Sequence, residues 1–392
     1  MIKNIFICHR PYHYCFSAVI AKHTSKYANN YCINFDVYTF KTNNKKVDYN
    51  KNCILSKYDN LLSGKDIFNK IYWLSRQNEK KIWNIFKFYK YYKKTVNDYR
   101  ALVNNFSSCD NLFIFSDKEK PVEILALLMK EKFKPNVYLI DEGVVSYYYK
   151  KNYIKKIIKW LIVHLFGLKY IGDNYNYGES NIFDYFITYN KRKIAIPVKG
   201  KIIEVQPLDF SILKPYINIP KFSRKSVLYI SSPISEVGYS KEKEILNVKR
   251  IIEYWSKLGY IVLLKLHPLE EINKFESISS HPGILIIEDK NIPPEVFFED
   301  VEFITGLFSS ALLNASRLPN KIVISYNTIF GWNDNEETLR IGKEHGINFI
   351  SDLADIEKII RYPEKYSTKE MINNKDCIII TEVNNESIFQ NN

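Results

Sequence analysis

Cysteine is scarce and scattered. Cys8, Cys15, Cys32, Cys53, Cys109 and Cys377 include no Cys-x-x-Cys pair and no metal-ligand spacing, which argues against a zinc module or a dithiol redox centre and reads as reduced core thiols. Long apolar runs are missing too. The longest, Trp160 to Leu168, is interrupted by His164 and falls well short of the roughly 20 residues that span a bilayer. The opening Met1-Ile2-Lys3-Asn4-Ile5-Phe6-Ile7-Cys8 is too brief for a signal peptide and runs straight into His9 and Arg10, so the expected location is the cytoplasm. Glycine is sparse, 13 residues, against 30 Tyr and 24 Phe. Neither an internal repeat nor a low-complexity tract breaks the chain, apart from a general bias toward Lys and Asn.

What is present is a folded-protein balance, with 46% hydrophobic and 25% charged residues. At 392 residues the chain exceeds one ordinary core, and two domains of roughly 150 to 200 residues are expected. The net charge of +13 favours anionic surroundings: a phospholipid face, a nucleotide or a nucleic acid. Charge by itself does not choose among them.

Short apolar runs alternate with helical spacing. Ile5 to Cys8, Asn34 to Phe40, Leu112 to Phe115 and Asn136 to Ile140 read as buried strands, with a helix from about Tyr12 to Ser25. Asp66 to Phe106, basic and aromatic, reads as one or two helices. Four prolines between Pro197 and Pro220 mark a linker, and the domains are expected at 1–215 and 216–392. The alternation then resumes: Ser226 to Ile230, Tyr260 to Leu266, Gly283 to Glu288, Val301 to Ile304 and Lys321 to Ser325 as strands, Lys241 to Leu258 and Ser309 to Arg317 as helices. That pattern predicts an α/β protein of two Rossmann-like lobes with mostly parallel sheets and an interlobe cleft, binding ligands at strand carboxyl ends.

Three constellations stand at such ends. Asp141-Glu142-Gly143 follows Val137 to Ile140; a carboxylate there can take a proton from a hydroxyl, and the same three residues also make an ordinary turn. His267-Pro268 follows Ile261 to Leu266. Its imidazole can bond a phosphate or, if protonated, offset charge on a leaving group; a surface His ahead of a helix is the bland alternative. Gly306-Leu307-Phe308-Ser309-Ser310 follows Phe303 to Thr305, and a Ser that caps a helix leaves N–H groups and a dipole for an anion, though most Ser caps bind none. Ser232, in Ser231-Ser232-Pro233, either lines the same pocket or sits in a plain turn. His9, Arg10 and His13 after the first strand are open to a ligand or a structural role.

An acidic pair with Gly, then His-Pro, then Ser-Ser opening a helix resembles the bacterial sialyltransferases of GT-B fold, among them the lipooligosaccharide and capsule enzymes of glycosyltransferase family 52 and the polysialyltransferases. Phe6-Ile7-Cys8-His9-Arg10-Pro11-Tyr12-His13 also looks like the family-52 opening. The resemblance implies an inverting, metal-independent transfer of sialic acid from CMP-sialic acid to a cell-surface glycan, which suits a chain without Asp-x-Asp. It implies Asp141 or Glu142 as the base, with Asp141 the first choice. His267 would sit on the CMP phosphate and assist its departure, with Pro268, Ser309, Ser310, Ser232 and Gly306 around the donor. The first lobe would carry the acceptor and the base, the second the CMP-sugar; no cofactor and no metal are expected.

The partners implied are a CMP-sugar and a glycan that can be lipid-linked, with room for a homodimer. Tyr147 to Gly172, dense in Lys and aromatics, can lie on an anionic membrane or pack as a core helix with a solvated Lys face. Two rival readings differ in class. A CDP-glycerol or CDP-ribitol phosphotransferase shares the Leu-His-Pro turn and the Ser pair but usually has an Asp before that pair, where Leu307 and Phe308 stand here. A non-catalytic nucleic-acid-binding protein would account for the charge, yet the basic residues are spread over both halves and form no nucleic-acid module, so no nucleic acid is expected.

Overall fold

In the computed structural model the described residues are 1–35, 38–41, 46–49, 67–74, 85–141, 143, 153–172, 177–217, 225–290, 292–332 and 336–367. They fall into two compact units. The first draws on Met1–Tyr38 and Tyr49–Leu208, the second on Thr39–Asp48 and Asp209–Asn374.

The first unit is built on β1 (Ile2–Cys8), α1 (Pro11–Thr24) and β2 (Ala28–Phe35); a separate two-stranded sheet, β3 (Tyr38–Lys41) with β4 (Lys46–Tyr49), follows in the chain. Next come β5 (Lys70–Leu74), α2 (Ile85–Asn104), β6 (Asn111–Ile114), α3 (Lys120–Phe133), β7 (Asn136–Ile140), α4 (Tyr153–Leu165), β8 (Tyr185–Thr188) and β9 (Lys201–Glu204). The large sheet runs β5-β2-β1-β6-β7-β8-β9 with every pair parallel. Parallel strands are covered on both faces, so they read as unbroken apolar runs. β6 and the last four residues of β7 are buried throughout.

Register is pinned at the end of the sheet where the strands begin. Asn4, Asn30 and Asn111 stand on one rung of β1, β2 and β6, all buried. The Asn111 amide donates to Asn4 Oδ1 at 3.0 Å, and the Asn4 amide donates to Asn30 Oδ1 at 3.0 Å. A one-residue slip of any of these strands would leave buried amides unpaired, so the ladder opposes it.

The second unit repeats the plan: β10 (Ser226–Ile230), α5 (Lys241–Lys257), β11 (Ile261–Lys265), β12 (Ile284–Ile287), β13 (Phe303–Gly306), α6 (Ser310–Ala315), β14 (Ile322–Ser325), α7 (Asn327–Phe330), α8 (Glu336–Glu344), β15 (Asn348–Phe349) and α9 (Asp355–Arg361). Its order is β12-β11-β10-β13-β14-β15, again all parallel. Trp255 of α5, fully buried, anchors the core and donates its indole N–H to Tyr326 Oη at 2.9 Å.

Counted within each unit, both orders are 3-2-1-4-5-6, the doubly wound arrangement, with one further strand at the end of the first sheet. The direction of winding reverses between β1 and β6 in one sheet and between β10 and β13 in the other. Loops leaving those strands part to opposite sides and open a crevice at their carboxyl ends.

Three expectations change. Asp66 to Phe106 is not helical throughout: β5 lies inside it, pairing Lys70 to Leu74 with Tyr31 to Phe35. The proline-rich stretch from Pro197 is not a bare linker, because β9 adds an edge to the first sheet and Asp209 caps a 3₁₀ turn, Phe210–Tyr216, that belongs to the second unit. Lys214 ties that turn to Asp300 at 2.6 Å. The helix expected over Ser309 to Arg317 is the short α6. Cys8, Cys15, Cys32 and Cys109 are buried.

Candidate functional site

The strand ends of the second unit bring most of the expected residues together. β10 ends into Ser231, β11 into Leu266-His267, and β13 at Gly306. Gly306 faces Ile230 across the rung, and a Cβ on it would lie 2.4 Å from the Ile230 carbonyl oxygen. Only glycine lets the two switch-point strands stay this close at the position where their loops diverge.

The loops after β10 and β11 are tied by a carboxylate that sequence reasoning did not single out. Glu270 is buried; its Oε2 accepts the His267 backbone N–H at 2.7 Å, and its Oε1 accepts the Ser231 hydroxyl at 2.6 Å. Lys274, also buried, reaches Glu270 Oε1 and Glu244 Oε1 at 2.7 Å each and Glu236 Oε2 at 3.3 Å. One ammonium against three carboxylates leaves excess negative charge, and those carboxylates hold the Lys274 pKa above its usual value despite burial. Ser235 contributes a backbone N–H to Glu244 at 3.2 Å.

This bracing sets the chemistry of His267. Its Nδ1 accepts the Leu269 N–H at 3.1 Å, so the proton of the neutral ring sits on Nε2. Burial, with the cationic neighbours Lys265, Lys274 and Lys290, holds its pKa down to about 3. The protonated form weighed from the sequence is thus disfavoured in the unliganded protein; the ring is a neutral N–H donor. Pro268 follows it directly, half-buried, in the turn where the Glu270 N–H bonds the His267 carbonyl at 3.0 Å.

Lys265 and Glu295 form a second, electrostatically coupled pair. Lys265, the last residue of β11, is buried with its ammonium donating to the Leu266 carbonyl at 2.7 Å, and burial lowers its pKa to about 7. Glu295 is raised by burial to about 7, and its Oε1 accepts from the Asn314 amide at 3.0 Å.

Ser309 caps α6, its Oγ accepting the Leu312 N–H at 3.4 Å. The helix has six residues, so its dipole is slight. What an anion would find there is the Ser310 hydroxyl and first-turn N–H groups that no helical carbonyl reaches. Asn327 fixes the approach by accepting the Phe308 N–H at 2.8 Å and the Ser325 hydroxyl at 2.6 Å. Ser232, half-buried, offers its carbonyl to the Ile234 N–H at 2.8 Å.

In the first unit Asp141 is buried just past β7. Its Oδ1 accepts the Gly143 N–H at 2.8 Å and its Oδ2 the Thr188 hydroxyl at 3.0 Å. Gly143, at φ 98°, makes the tight return that brings its N–H onto Asp141. Glu142 lies outside the described residues.

The switch point of this unit holds other titratable groups. His13 stacks flat on Phe115 at 4.2 Å and meets the edge of His9 at 4.3 Å; burial and the nearby Arg10 hold it neutral. Asp117, buried, accepts the Gly178 and Ser180 N–H groups at 3.0 and 3.2 Å, and burial raises it to about 6. Glu123 on α3, fully buried and 3.7 Å from the Lys159 ammonium, is raised by burial to about 7. Asp117 and Glu123 carry no strand-end motif; only the folded neighbourhood singles them out.

Two doubly wound units of parallel strands define an α/β protein of GT-B-like architecture. Solved structures agree on the fold. A putative UDP-N-acetylglucosamine 2-epimerase from Listeria monocytogenes matches at 11% identity, covering 94% of this chain and 90% of that one, with a TM-score of 0.55. The UDP complex of MnaA from S. aureus matches at 12% identity with the same coverages and a TM-score of 0.53. An α/β-galactoside α-2,3-sialyltransferase from Photobacterium phosphoreum is similar at 13% identity, covering 90% of this chain and 99% of that one, with a TM-score of 0.49. No curated protein matches the sequence. The model of the alpha-2,8-polysialyltransferase family matches residues 4–328.

The chain belongs to the alpha-2,8-polysialyltransferase family, and it is a sialyltransferase.

Proposed function

We propose that the protein transfers sialic acid from CMP-sialic acid to the terminal sialic acid of a cell-surface glycan, with inversion and without a metal. The observation that carries this reading is the braced His267, a neutral imidazole with its proton on Nε2 at the carboxyl end of β11, with the Ser309-Ser310 turn at the carboxyl end of β13 in the same sheet. A monophosphate needs N–H and O–H donors rather than the paired carboxylates that would hold a metal on a diphosphate. His267 donates to a phosphate oxygen, while Ser309 and Ser310 flank the rest of the group. Asp141 takes the proton of the acceptor hydroxyl as that oxygen attacks the anomeric carbon. The bond from that carbon to the CMP oxygen breaks, and CMP leaves with the electron pair. The donor phosphodiester carries one negative charge and CMP leaves with a second, which the Nε2–H of the neutral ring stabilises by a hydrogen bond, with no proton transferred. The family description supports reading the linkage as alpha-2,8 and the addition as repeated. The family-52 likeness, carried by the same motifs and by the opening Phe6 to His13, is kept as the narrower reading of the acceptor, lipooligosaccharide in place of a sialic-acid chain.

The test is to incubate the purified protein, with and without a chelator, with CMP-sialic acid and a panel of galactose-terminated and sialic-acid-terminated acceptors. CMP release with a ladder of sialic-acid mass gains on the sialylated acceptors, unchanged by chelator, is expected. Consumption of CDP-glycerol with CMP-sialic acid untouched would overturn it.

A further inference from the structure

α4 is turned inside out. Ile154, Ile157, Ile158, Leu161 and Leu165 recur at spacings of three and four and so share one face of the helix. In a helix that packs on a core such a stripe faces inward. Here all five are exposed, Ile154 at 73% and Leu165 at 77%, and Trp160 beside them at 45%. The inward side is held by other residues. Val163 packs on the core of the first unit, and Lys159 points to the buried Glu123 of α3 at 3.7 Å. The ion pair fixes which way the helix faces, because turning the isoleucines inward would carry Lys159 out and strand Glu123.

An exposed apolar stripe of this size calls for an occupant. The helix has 13 residues, about 20 Å, too short to cross a bilayer core of about 30 Å. No helix among the described residues is long and apolar enough to cross a membrane. The charge around the stripe narrows the choice. From Gly143 to Gly172 the sequence has six lysines, Lys150, Lys151, Lys155, Lys156, Lys159 and Lys169, and no Asp or Glu. Lys169 pairs with Glu131 of α3 at 2.5 Å, as Lys159 does with Glu123. A second copy docking face to face would set the same lysines against themselves with no acid in the segment to meet them. A nucleic acid would satisfy the lysines but not five outward aliphatic side chains. An anionic bilayer satisfies both, with aliphatics and Trp160 among the acyl chains and lysines among the headgroups.

We propose that α4 is a membrane-docking helix, lying in the headgroup plane of an anionic bilayer on its Ile154-Ile157-Ile158-Leu161-Leu165 face. The inference stands apart from sialyl transfer and is tested without it. The full chain is sedimented with large vesicles of phosphatidylcholine alone or mixed equally with phosphatidylglycerol, at low and high salt. Its mass is followed by light scattering. We expect at least tenfold more protein on the anionic vesicles, reduced by salt, and at least tenfold loss in the double variant Ile157→Asp/Leu161→Asp. Leu246→Asp, removing an aliphatic residue 57% exposed on α5, should bind like the parent. If the double variant melts early, Leu165→Asp takes its place. Three outcomes overturn the proposal: no binding by the parent, equal binding by parent and α4 variants, or a parent dimer that the variants split while vesicles bind neither. Retention on bulk RNA without binding to vesicles does the same.

Discussion

The protonation states of half-buried His267 and buried Glu123 carry the sharpest consequences. His267 acts as a neutral donor, so a side chain that offers one N–H at the same reach replaces it in part. His267→Ala is expected to weaken CMP binding about 10- to 100-fold, the worth of a hydrogen bond to a charged group. His267→Gln, whose amide N–H reaches the Nε2 position, should recover most of that in a competition assay. With the ring held near 3 in the free protein, kcat/KM should lack an inflection at the ordinary imidazole value near 6.5. Wild-type CMP affinity in both variants would sink the assignment. Glu123 has its pKa raised from 4.5 to about 7, so the folded state holds its proton more tightly than the unfolded chain. Its stabilising effect is complete below 4.5 and drains as pH rises toward 7, by about 3 kcal/mol. Asp117, raised to about 6, acts in the same direction over a lower window. Urea midpoints should therefore fall between pH 5 and pH 8, and Glu123→Gln should flatten much of that fall; an equally steep fall in the variant counts against it.

At the level of elements, the strands that were legible are those buried on both faces. β10, β11 and β14 stand out because parallel strands under two helical layers need no polar alternation. β5, β8 and β9 escaped notice for different reasons. β5 lies in a basic, aromatic segment whose composition resembles that of α2; β8 and β9 are four residues each, and β9 sits among prolines. The site divides in the same way. His267 and Ser309 follow apolar runs, so their place at strand ends is written in the local sequence. Lys274 lies on a 3₁₀ turn, Ile272–Ile278, that shows no helical period, Glu270 lies just before it, and their partners Ser231 and Glu244 come from β10's loop and α5. No local pattern announces a carboxylate that braces two loops. The Gly306 rung gives an element-scale prediction. Gly306→Ala places a methyl group 2.4 Å from the Ile230 carbonyl and must part β10 from β13, with an expected loss of about 1–3 kcal/mol of stability and more than tenfold in CMP affinity. Gly259→Ala is the control: φ is 81° but nothing lies within 4 Å, so stability falls by about 1 kcal/mol and CMP affinity holds. Equal CMP affinity in both variants would show that the rung does not shape the anion site.

For the whole chain, the same doubly wound plan occurs twice with different groups at its strand ends. The second unit carries donors, His267, Ser309 and Ser310; the first carries the Asp141 carboxylate, tied down by Gly143 and Thr188. If that division reflects the chemistry, nucleotide binding and proton abstraction separate by mutation. Hydrogen exchange on the intact protein reads this out along the chain. CMP is expected to slow exchange of amides around Ser231, His267 to Glu270 and Phe308 to Leu312, and to leave those from Val137 to Gly143 unchanged. Asp141→Asn keeps the size and hydrogen-bonding reach of the side chain but is a far weaker base. It should keep the CMP protection pattern while sialyl transfer falls at least 100-fold, the range general-base removal produces. His267→Ala should lose the protection as well as the turnover. Were Asp141→Asn to erase the protection around His267, the carboxylate would be part of the nucleotide site and the base would have to be sought elsewhere, with Glu142 first in line.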